Sequence, residues 1–149
     1  KRRPSSEALL HRAIKKKELY TINTLIDVGN WCSLDFLLPT CVYDVDKIVG
    51  DVSIRLGNSG ESYLALNNRE IDFSGRFVLA DENGPFGSPM TDSARTAVST
   101  STKNALLGIW APDSFDTQIL KNHAKAFAKR AMEFCGGTLS KQKVFTSKE

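Results

Sequence analysis

Residues 26–44 set polar side chains into an otherwise apolar run, and this segment carries more chemical information than any other in the chain. It contains the carboxylate of Asp27, the carboxamide of Asn30 and the thiol of Cys41. A polar group that is buried without a hydrogen bond costs up to several kcal/mol, so these groups must be paired if they are buried. We therefore expect the segment either to build one side of a polar pocket or to fix a loop.

The Cys41 thiol admits two interpretations. A thiolate is a nucleophile, and Asp44 follows three residues later. However, neither His11 nor His123 is close in sequence, and a buried cysteine usually packs as a small apolar side chain, so we favour packing. With two histidines and no Cys-x-x-Cys spacing among the three cysteines, we expect no metal site, and nothing indicates a cofactor.

Hydrophobic periodicity predicts the elements that must position these groups. A helix begins at Pro4-Ser5-Ser6-Glu7 and carries Lys15-Lys16-Lys17 near its end. A second helix spans about 24–37 and stops at Pro39, with Asp27, Asn30 and Leu34 on one face. A last helix runs from Pro112-Asp113-Ser114 to about Cys135, where Gly136-Gly137 ends it.

Between the second and the last helix the pattern favours short strands joined by tight turns, which is typical of antiparallel neighbours. The predicted strands span about 52–56, 62–66, 70–73, 76–81 and 104–110. Residues 82–103, rich in Gly, Pro, Ser and Thr, form a long predicted loop, and such loops are more often functional or disordered than mere connectors. The sequence thus predicts an α+β domain with a central, mostly antiparallel sheet or open barrel flanked by helices. The tail 138–149 fits either a short strand or frayed chain.

Length and charge limit the class of protein. The 149 residues fit one domain spanning 1–149, and 41% hydrophobic and 25% charged residues are typical of a soluble cytoplasmic protein with reduced cysteines and no membrane span. The chain does not begin with Met, and we expect an N-terminal segment to be missing. Residues 1–17 hold seven Lys or Arg against one Glu, whereas residues 18–135 carry a net charge of −5. Any RNA contact must therefore use the basic ends or a local cluster.

Residues 26–44 also match a family motif without a gap. They resemble V-D-x-x-N-Y-x-x-x-E-x-G-Q-P-x-H-A-F-D in the third and fourth modules of the bacterial phenylalanyl-tRNA synthetase beta chain, which form its tRNA-binding and editing domain. The opening Ser6–Arg12 is similar to stand-alone proteins that carry this domain, and the resemblance covers about residues 4 to 111. Further matches follow in order along the chain: Asp46-Lys47-Ile48 with Gly50, Arg55, Gly60-Glu61, Leu66, Ala80-Asp81, and Thr102-Lys103-Asn104-Ala105-Leu106-Leu107, which is similar to T-x-N-V-L-L.

The resemblance implies a pocket that receives the aminoacylated end of a tRNA, where the family removes tyrosine wrongly attached to the tRNA for phenylalanine. The family's histidine falls on Cys41 and its glutamate on Gly108, and Phe86-Gly87-Ser88-Pro89 replaces its A-G-x-x-G-G loop. Tyrosine-specific editing is therefore not expected, because Gly108 cannot accept a phenol proton, and no catalytic residue is assigned. The implied pocket residues are Asp27, Asn30, Cys41, Phe86, Gly87, Ser88 and Gly108, and the implied tRNA contacts are Lys15, Lys16, Lys17 and Arg55.

Several alternatives stay open. The resemblance fits an RNA-binding domain that acts in trans as an aminoacyl-tRNA deacylase. It also fits a module for a small amino-acid-like ligand or a protein, without RNA or hydrolase activity. No phosphate loop indicates an ATP site, so the chain is not expected to charge tRNA. The lysines at 15–17 fit a solvated helix face as well as an RNA contact, and Arg55 fits an ion pair with Asp51 or Glu61 as well as a phosphate contact. Trp31 and Tyr43 are expected in the core rather than as stacking platforms for bases.

Overall fold

The computed structural model describes residues 4–15 and 23–146. Within these ranges the chain is α+β, as predicted, with three α-helices, seven strands and two short 3-10 helices. The helices are α1 (Ser5–Ile14), α2 (Thr24–Phe36) and α3 (Thr117–Cys135). The strands are β1 (Thr40–Asp44), β2 (Ser53–Leu56), β3 (Ser62–Leu64), β4 (Glu70–Asp72), β5 (Phe77–Asp81), β6 (Gly84–Gly87) and β7 (Ala105–Ile109).

The strands form three small antiparallel sheets, and the described residues contain no closed barrel. The sheets join β1 with β7, β2 with β5 and β6, and β3 with β4. The expected antiparallel pairing is confirmed, but the strands divide into three separate sheets, of which two share one apolar cluster. The β1–β7 pair sets Cys41 directly opposite Gly108.

Helix α2 is held at both ends by hydrogen bonds that its own sequence supplies. The side chain of Asn23 accepts a bond of 2.9 Å from the Ile26 N–H and caps the first turn. The helix ends at Phe36, and the left-handed backbone of the next residue, Leu37 (φ 54°), turns the chain before Pro39. The Ser33 hydroxyl donates to the Leu38 carbonyl (2.7 Å), which fixes the path from α2 into β1.

Two apolar clusters support the sheets. In the first, α2 and α3 pack against the β1–β7 pair, and its buried members are Val28, Cys32, Phe36, Leu38, Phe127 and Ala131. The second lies between the other two sheets and consists of Tyr63, Ala65, Ile71, Phe73, Val78 and Ala80. A third, smaller cluster of Cys41, Tyr43 and Phe86 joins β1 to β6 and is described with the candidate site.

Two strands were not predicted. Strand β1 has no clear strand pattern because it is short and follows Pro39 directly. Strand β6 lies within residues 82–103, which the composition predicts to be one loop. Proline disfavours central strands, but β6 is the edge of its sheet, where the missing N–H of Pro85 costs nothing. Helix α3 begins at Thr117, capped by the Asp116 side chain, rather than near residue 114. The described tail residues 138–146 form no strand.

No helix among residues 4–15 and 23–146 combines the length and the apolar character that crossing a membrane requires.

Candidate functional site

Cys41 and Gly108, which the resemblance assigns to the pocket, are in direct contact across β1 and β7. A Cβ at position 108 would lie 2.5 Å from the Cys41 sulfur, closer than real Cβ atoms approach. Position 108 therefore requires a glycine, because the Cys41 sulfur occupies the space that a side chain there would need. A glutamate cannot be placed at 108 while this thiol keeps its position.

Tyr43, two residues after Cys41, organises the cluster. Its ring is fully buried and meets Phe86 edge to face, with ring centroids 5.0 Å apart. A Cβ at position 87 would collide with the Tyr43 hydroxyl, so Gly87 is needed to let β6 pass over this ring. The expectation that Tyr43 is a core residue is confirmed. The cluster joins four predicted pocket residues, namely Cys41, Phe86, Gly87 and Gly108.

Asp92 completes this cluster, and sequence reasoning did not single it out. The Tyr43 hydroxyl donates a short hydrogen bond of 2.5 Å to an Asp92 carboxylate oxygen. Burial raises the pKa of Asp92 from its usual value to about 7, although the bonds from Tyr43 and the Ser88 backbone N–H act in the opposite direction. The only sequence signal was its place in Thr91-Asp92-Ser93, a turn-like triplet inside the predicted loop.

The turn that presents Asp92 is fixed by hydrogen bonds to Thr91 and Ser88. The Thr91 carbonyl accepts bonds from the Tyr63 hydroxyl (2.6 Å) and the Ser88 hydroxyl (2.9 Å). The Ser88 oxygen in turn accepts from the Thr91 N–H (3.2 Å). Ser88, a predicted pocket residue, is thus buried in the turn as a structural anchor that positions its neighbour.

The Cys41 thiol lies in an environment that keeps it protonated. Burial raises its pKa far above the usual value, and the nearby Asp92 charge raises it further. The buried indole N–H of Trp110 faces this thiol and has no other hydrogen-bond partner among the described residues. A neutral thiol of this kind fits the packing interpretation of Cys41 and not the nucleophile interpretation.

Asp27 and Asn30 lie on α2, apart from these contacts. Both side chains are half-buried, and Gly29 between them packs against Thr40 and Val42 of β1. The Gly29 carbonyl accepts a bond of 2.8 Å from the Thr40 hydroxyl, which ties this turn of α2 to the strand that carries Cys41. The hydrogen bonds within the Tyr43 cluster are made without Asn30.

The predicted tRNA contacts divide into two groups. Arg55 forms a two-pronged ion pair with Glu61 (2.7 and 2.8 Å), so the ion-pair alternative is observed, and the pKa of Glu61 is lowered to about 2, chiefly by this hydrogen bonding. Lys15 follows the end of α1, and Lys16 and Lys17 lie outside the described residues.

Trp31 departs from its expected core position. Its ring is 45% exposed, and the Arg130 guanidinium lies 4.1 Å from the ring centroid. The core expectation for this residue is wrong because the buried stripe of α2 runs through Val28, Cys32 and Phe36, and position 31 faces away from it.

No group of three or more His, Cys, Asp or Glu side chains that could hold a metal ion occurs in the part of the chain that the structure describes.

Comparison with known proteins gives one family. A family model described as the B3/4 domain matches residues 1–133. The phenylalanine–tRNA ligase beta subunit of Brucella abortus (strain 2308) is 38% identical over 77 residues, which is 51% of this chain and 10% of that protein. The beta subunit of Neisseria meningitidis serogroup A is 31% identical over 100 residues, 66% of this chain and 13% of that protein. The chain spans about a tenth of the length of the curated relatives that it matches.

Proposed function

Because the chain belongs to the B3/4 domain family, we propose that it binds the aminoacylated end of a tRNA. The supporting observation is that Cys41, Phe86, Gly87 and Gly108, which come from three separate stretches of the sequence, come together in one cluster, with Phe86 and Gly87 against the buried ring of Tyr43 and Gly108 against Cys41. The matched relatives are beta subunits of phenylalanine–tRNA ligases. The bound end would lie along the turn of α2 that carries Asp27 and Asn30, which the bond from Thr40 to the Gly29 carbonyl ties to the strand of Cys41.

The contents of the cluster favour binding over the family's reaction. Cys41 and Gly108 replace an imidazole and a carboxylate by a neutral thiol and a hydrogen atom, so neither can move a proton near neutral pH. We assign the tRNA backbone contacts to Lys15, Lys16 and Lys17. Arg55 contributes less, because Glu61 already neutralises its charge.

Binding is tested by comparing aminoacylated with deacylated tRNA in equilibrium filter binding. We expect the aminoacylated form to bind more tightly, and Asn30→Ala to reduce this preference about fivefold, the worth of one hydrogen bond near 1 kcal/mol. Asn122→Ala is the matched control, since Asn122 is an exposed asparagine on α3. Equal affinity for both tRNA forms would contradict the proposal. If neither form of tRNA binds, the remaining hypothesis is a module for a small amino-acid-like ligand. A thermal-shift screen with free amino acids tests that hypothesis.

Hydrolysis of the aminoacyl ester is a second candidate function, favoured by one observation. A carboxylate with a pKa of about 7 is suited to accept a proton at neutral pH, and Asp92 has that property. Incubation with a panel of mischarged tRNAs should then release the amino acid, and Asp92→Asn should abolish the release while aminoacyl-tRNA binding persists. A panel left intact by the wild-type protein excludes this function and leaves the binding proposal standing.

A further inference from the structure

Strand β2 lies at the edge of its sheet, and its outer side pairs with no strand in the described part of the chain. The N–H of Gly57, which follows β2, donates to the Arg76 carbonyl (2.8 Å) on the β5 side. Because the backbone of an antiparallel strand alternates in direction, Arg55 also bonds toward β5, whereas the N–H and C=O groups of Ile54 and Leu56 point outward. A row of outward backbone groups is a template for another strand.

The side chains on the solvent face of this edge are apolar. Ile54 and Leu56 are each 52% exposed, and Leu56 stands opposite Phe77 of β5, which is 59% exposed. Val52 is also exposed and continues the same alternation, so these four side chains form one surface, which we call the β2 edge surface. The apolar side of an antiparallel strand normally faces the core, and here it faces solvent instead. An exposed apolar surface of this kind marks an interaction site.

Other sheet edges of the molecule are protected against pairing with another chain. Strand β6 contains Pro85, which has no N–H to donate, and its last three residues are buried. Strand β4, an edge of its own sheet, carries the exposed charges of Glu70 and Asp72. Proline and charge are common means of keeping an edge unpaired. Strand β2 has neither on its apolar face, since its charged residue, Arg55, lies on the other face and is held by Glu61 at 2.7 and 2.8 Å.

We propose that the β2 edge surface binds a second copy of this chain, with the two β2 strands paired antiparallel about a two-fold axis at Ile54. The sequence around Ile54 is self-complementary, because this pairing sets Val52 of each copy opposite Leu56 of the other and the two Ile54 side chains opposite each other. Ile54 suits the axis, since its N–H and C=O groups both point outward and exchange two hydrogen bonds with the other copy. The two three-stranded sheets then form one continuous sheet.

Charge supports both this partner and this register. In the proposed pairing Arg55 stands opposite Ser53 of the other copy, and the exposed Asp51 of that copy lies two residues further along on the same face. An axis at Arg55 would set two guanidinium groups directly opposite each other and bring Val52 opposite the polar Asn58, and like charges in that position are destabilising. A second copy supplies the matching apolar and charged positions from its own sequence. For that reason we assign the edge to a copy of this chain rather than to a foreign strand.

The mass of the protein in solution tests the association. One edge strand buries less than the roughly 1,600 Å² of a standard interface, so we expect the dimer to dissociate in the micromolar range. Sedimentation equilibrium from about 10 to about 500 μM should show the mass rising from 16.4 kDa toward twice that value. Ile54→Lys sets two ammonium groups on the axis and should keep the protein monomeric, whereas Ile119→Lys, at an exposed position on α3, should not. A monomeric wild type at the highest concentration, or an equal effect of both variants, overturns the proposal.

Cysteine substitution tests the position of the axis. The two Cα atoms of a hydrogen-bonded antiparallel pair are about 5.5 Å apart, which suits a disulfide. With the exposed Cys135 replaced by serine, Ile54→Cys should form a disulfide-linked dimer under mild oxidation. Leu56→Cys alone should not, because its two copies lie about 14 Å apart along the strands, but it should link to Val52→Cys when the two variants are mixed.

The pattern of linkage decides between strand pairing and random collision. Equal linkage of Ile54→Cys and Leu56→Cys, each tested alone, would show collision and overturn the proposal. A dimer by sedimentation that none of these cysteines links would overturn the pairing through β2. Neither experiment contains tRNA, so the result does not depend on the proposed function.

Discussion

Tyr43 has a larger effect on the candidate site than any residue assigned to it from the sequence. Its hydroxyl occupies the space above Gly87 and reaches Asp92, which lies 49 positions further along the chain. Contacts over such a sequence distance depend on how β1 and the 88–92 turn fold together, and no local pattern encodes them. The sequence could therefore indicate Cys41 and Gly108, which sit in recognisable motifs, but not Asp92.

Asp92→Asn should change how stability depends on pH. The folded protein holds the Asp92 proton up to about pH 7, whereas the unfolded chain releases it near its ordinary pKa of 3.8. The folded state therefore binds more protons in this range, and stability falls as pH rises from about 4 to 7. The stabilising contribution is complete below about pH 4 and is lost once the pH passes 7. Asparagine stays neutral, so the variant should gain about 1–3 kcal/mol relative to wild type between pH 4 and pH 8.

Urea unfolding at a series of pH values measures this difference. Asp72→Asn is the matched control with the opposite sign, because hydrogen bonds from Ser74 lower the pKa of Asp72 and its contribution is lost as pH falls. If the wild type and Asp92→Asn show parallel pH profiles, Asp92 does not hold a proton in the folded protein at pH 5–6.

At the scale of elements, the helices were easier to predict than the strands. Asn23 and Pro39 delimit α2, and both act through local chemistry that the sequence displays directly. The strands β1 and β6 were missed because β1 is short and follows a proline, and β6 is half glycine with Pro85 between. Their pairing depends on partners elsewhere in the chain, and propensity alone does not supply that information.

Gly108→Ala tests the close approach of β1 and β7. The added methyl group would meet the Cys41 sulfur at 2.5 Å, and overpacking of this kind costs about 1–3 kcal/mol in the free energy of unfolding. Cys41→Ala removes that sulfur, so the double variant should recover most of the loss. Denaturant unfolding of the wild type, both single variants and the double variant gives the coupling energy between the positions. Strictly additive effects would show that the two residues do not share this space.

At the scale of the whole molecule, charge is separated along the chain. The first 17 residues hold seven of the 20 Lys and Arg, while residues 18–135 have a net charge of −5. The charge of residues 1–17 therefore attracts a bound RNA, whereas the net charge of residues 18–135 repels it. The composition predicted this imbalance fully, because net charge does not depend on the fold.

Replacing Lys15, Lys16 and Lys17 by glutamine should weaken tRNA binding and make it less sensitive to salt. Each phosphate contact contributes about 0.7–0.9 to the slope of log affinity against log salt concentration, so the slope should fall by about 2–3. Lys121, Lys125 and Lys129 on α3 give a control with the same change in charge. The slope is measured from binding at about 50 to about 200 mM salt. An equal slope change in both triple variants would indicate diffuse attraction without a defined contact.

The turn at residues 88–92 takes part in two features of the structure, and this has a thermodynamic consequence. Its Asp92 accepts the bond from Tyr43, and its Ser88, Pro89 and Met90 line an open depression together with Phe73, Arg76 and Phe77. A ligand that moves this turn changes the proton affinity of Asp92. By thermodynamic reciprocity, protonation of Asp92 then changes the affinity for that ligand by the same factor. The uptake or release of protons during complex formation, measured by calorimetry in buffers of different ionisation heat, reports that coupling directly.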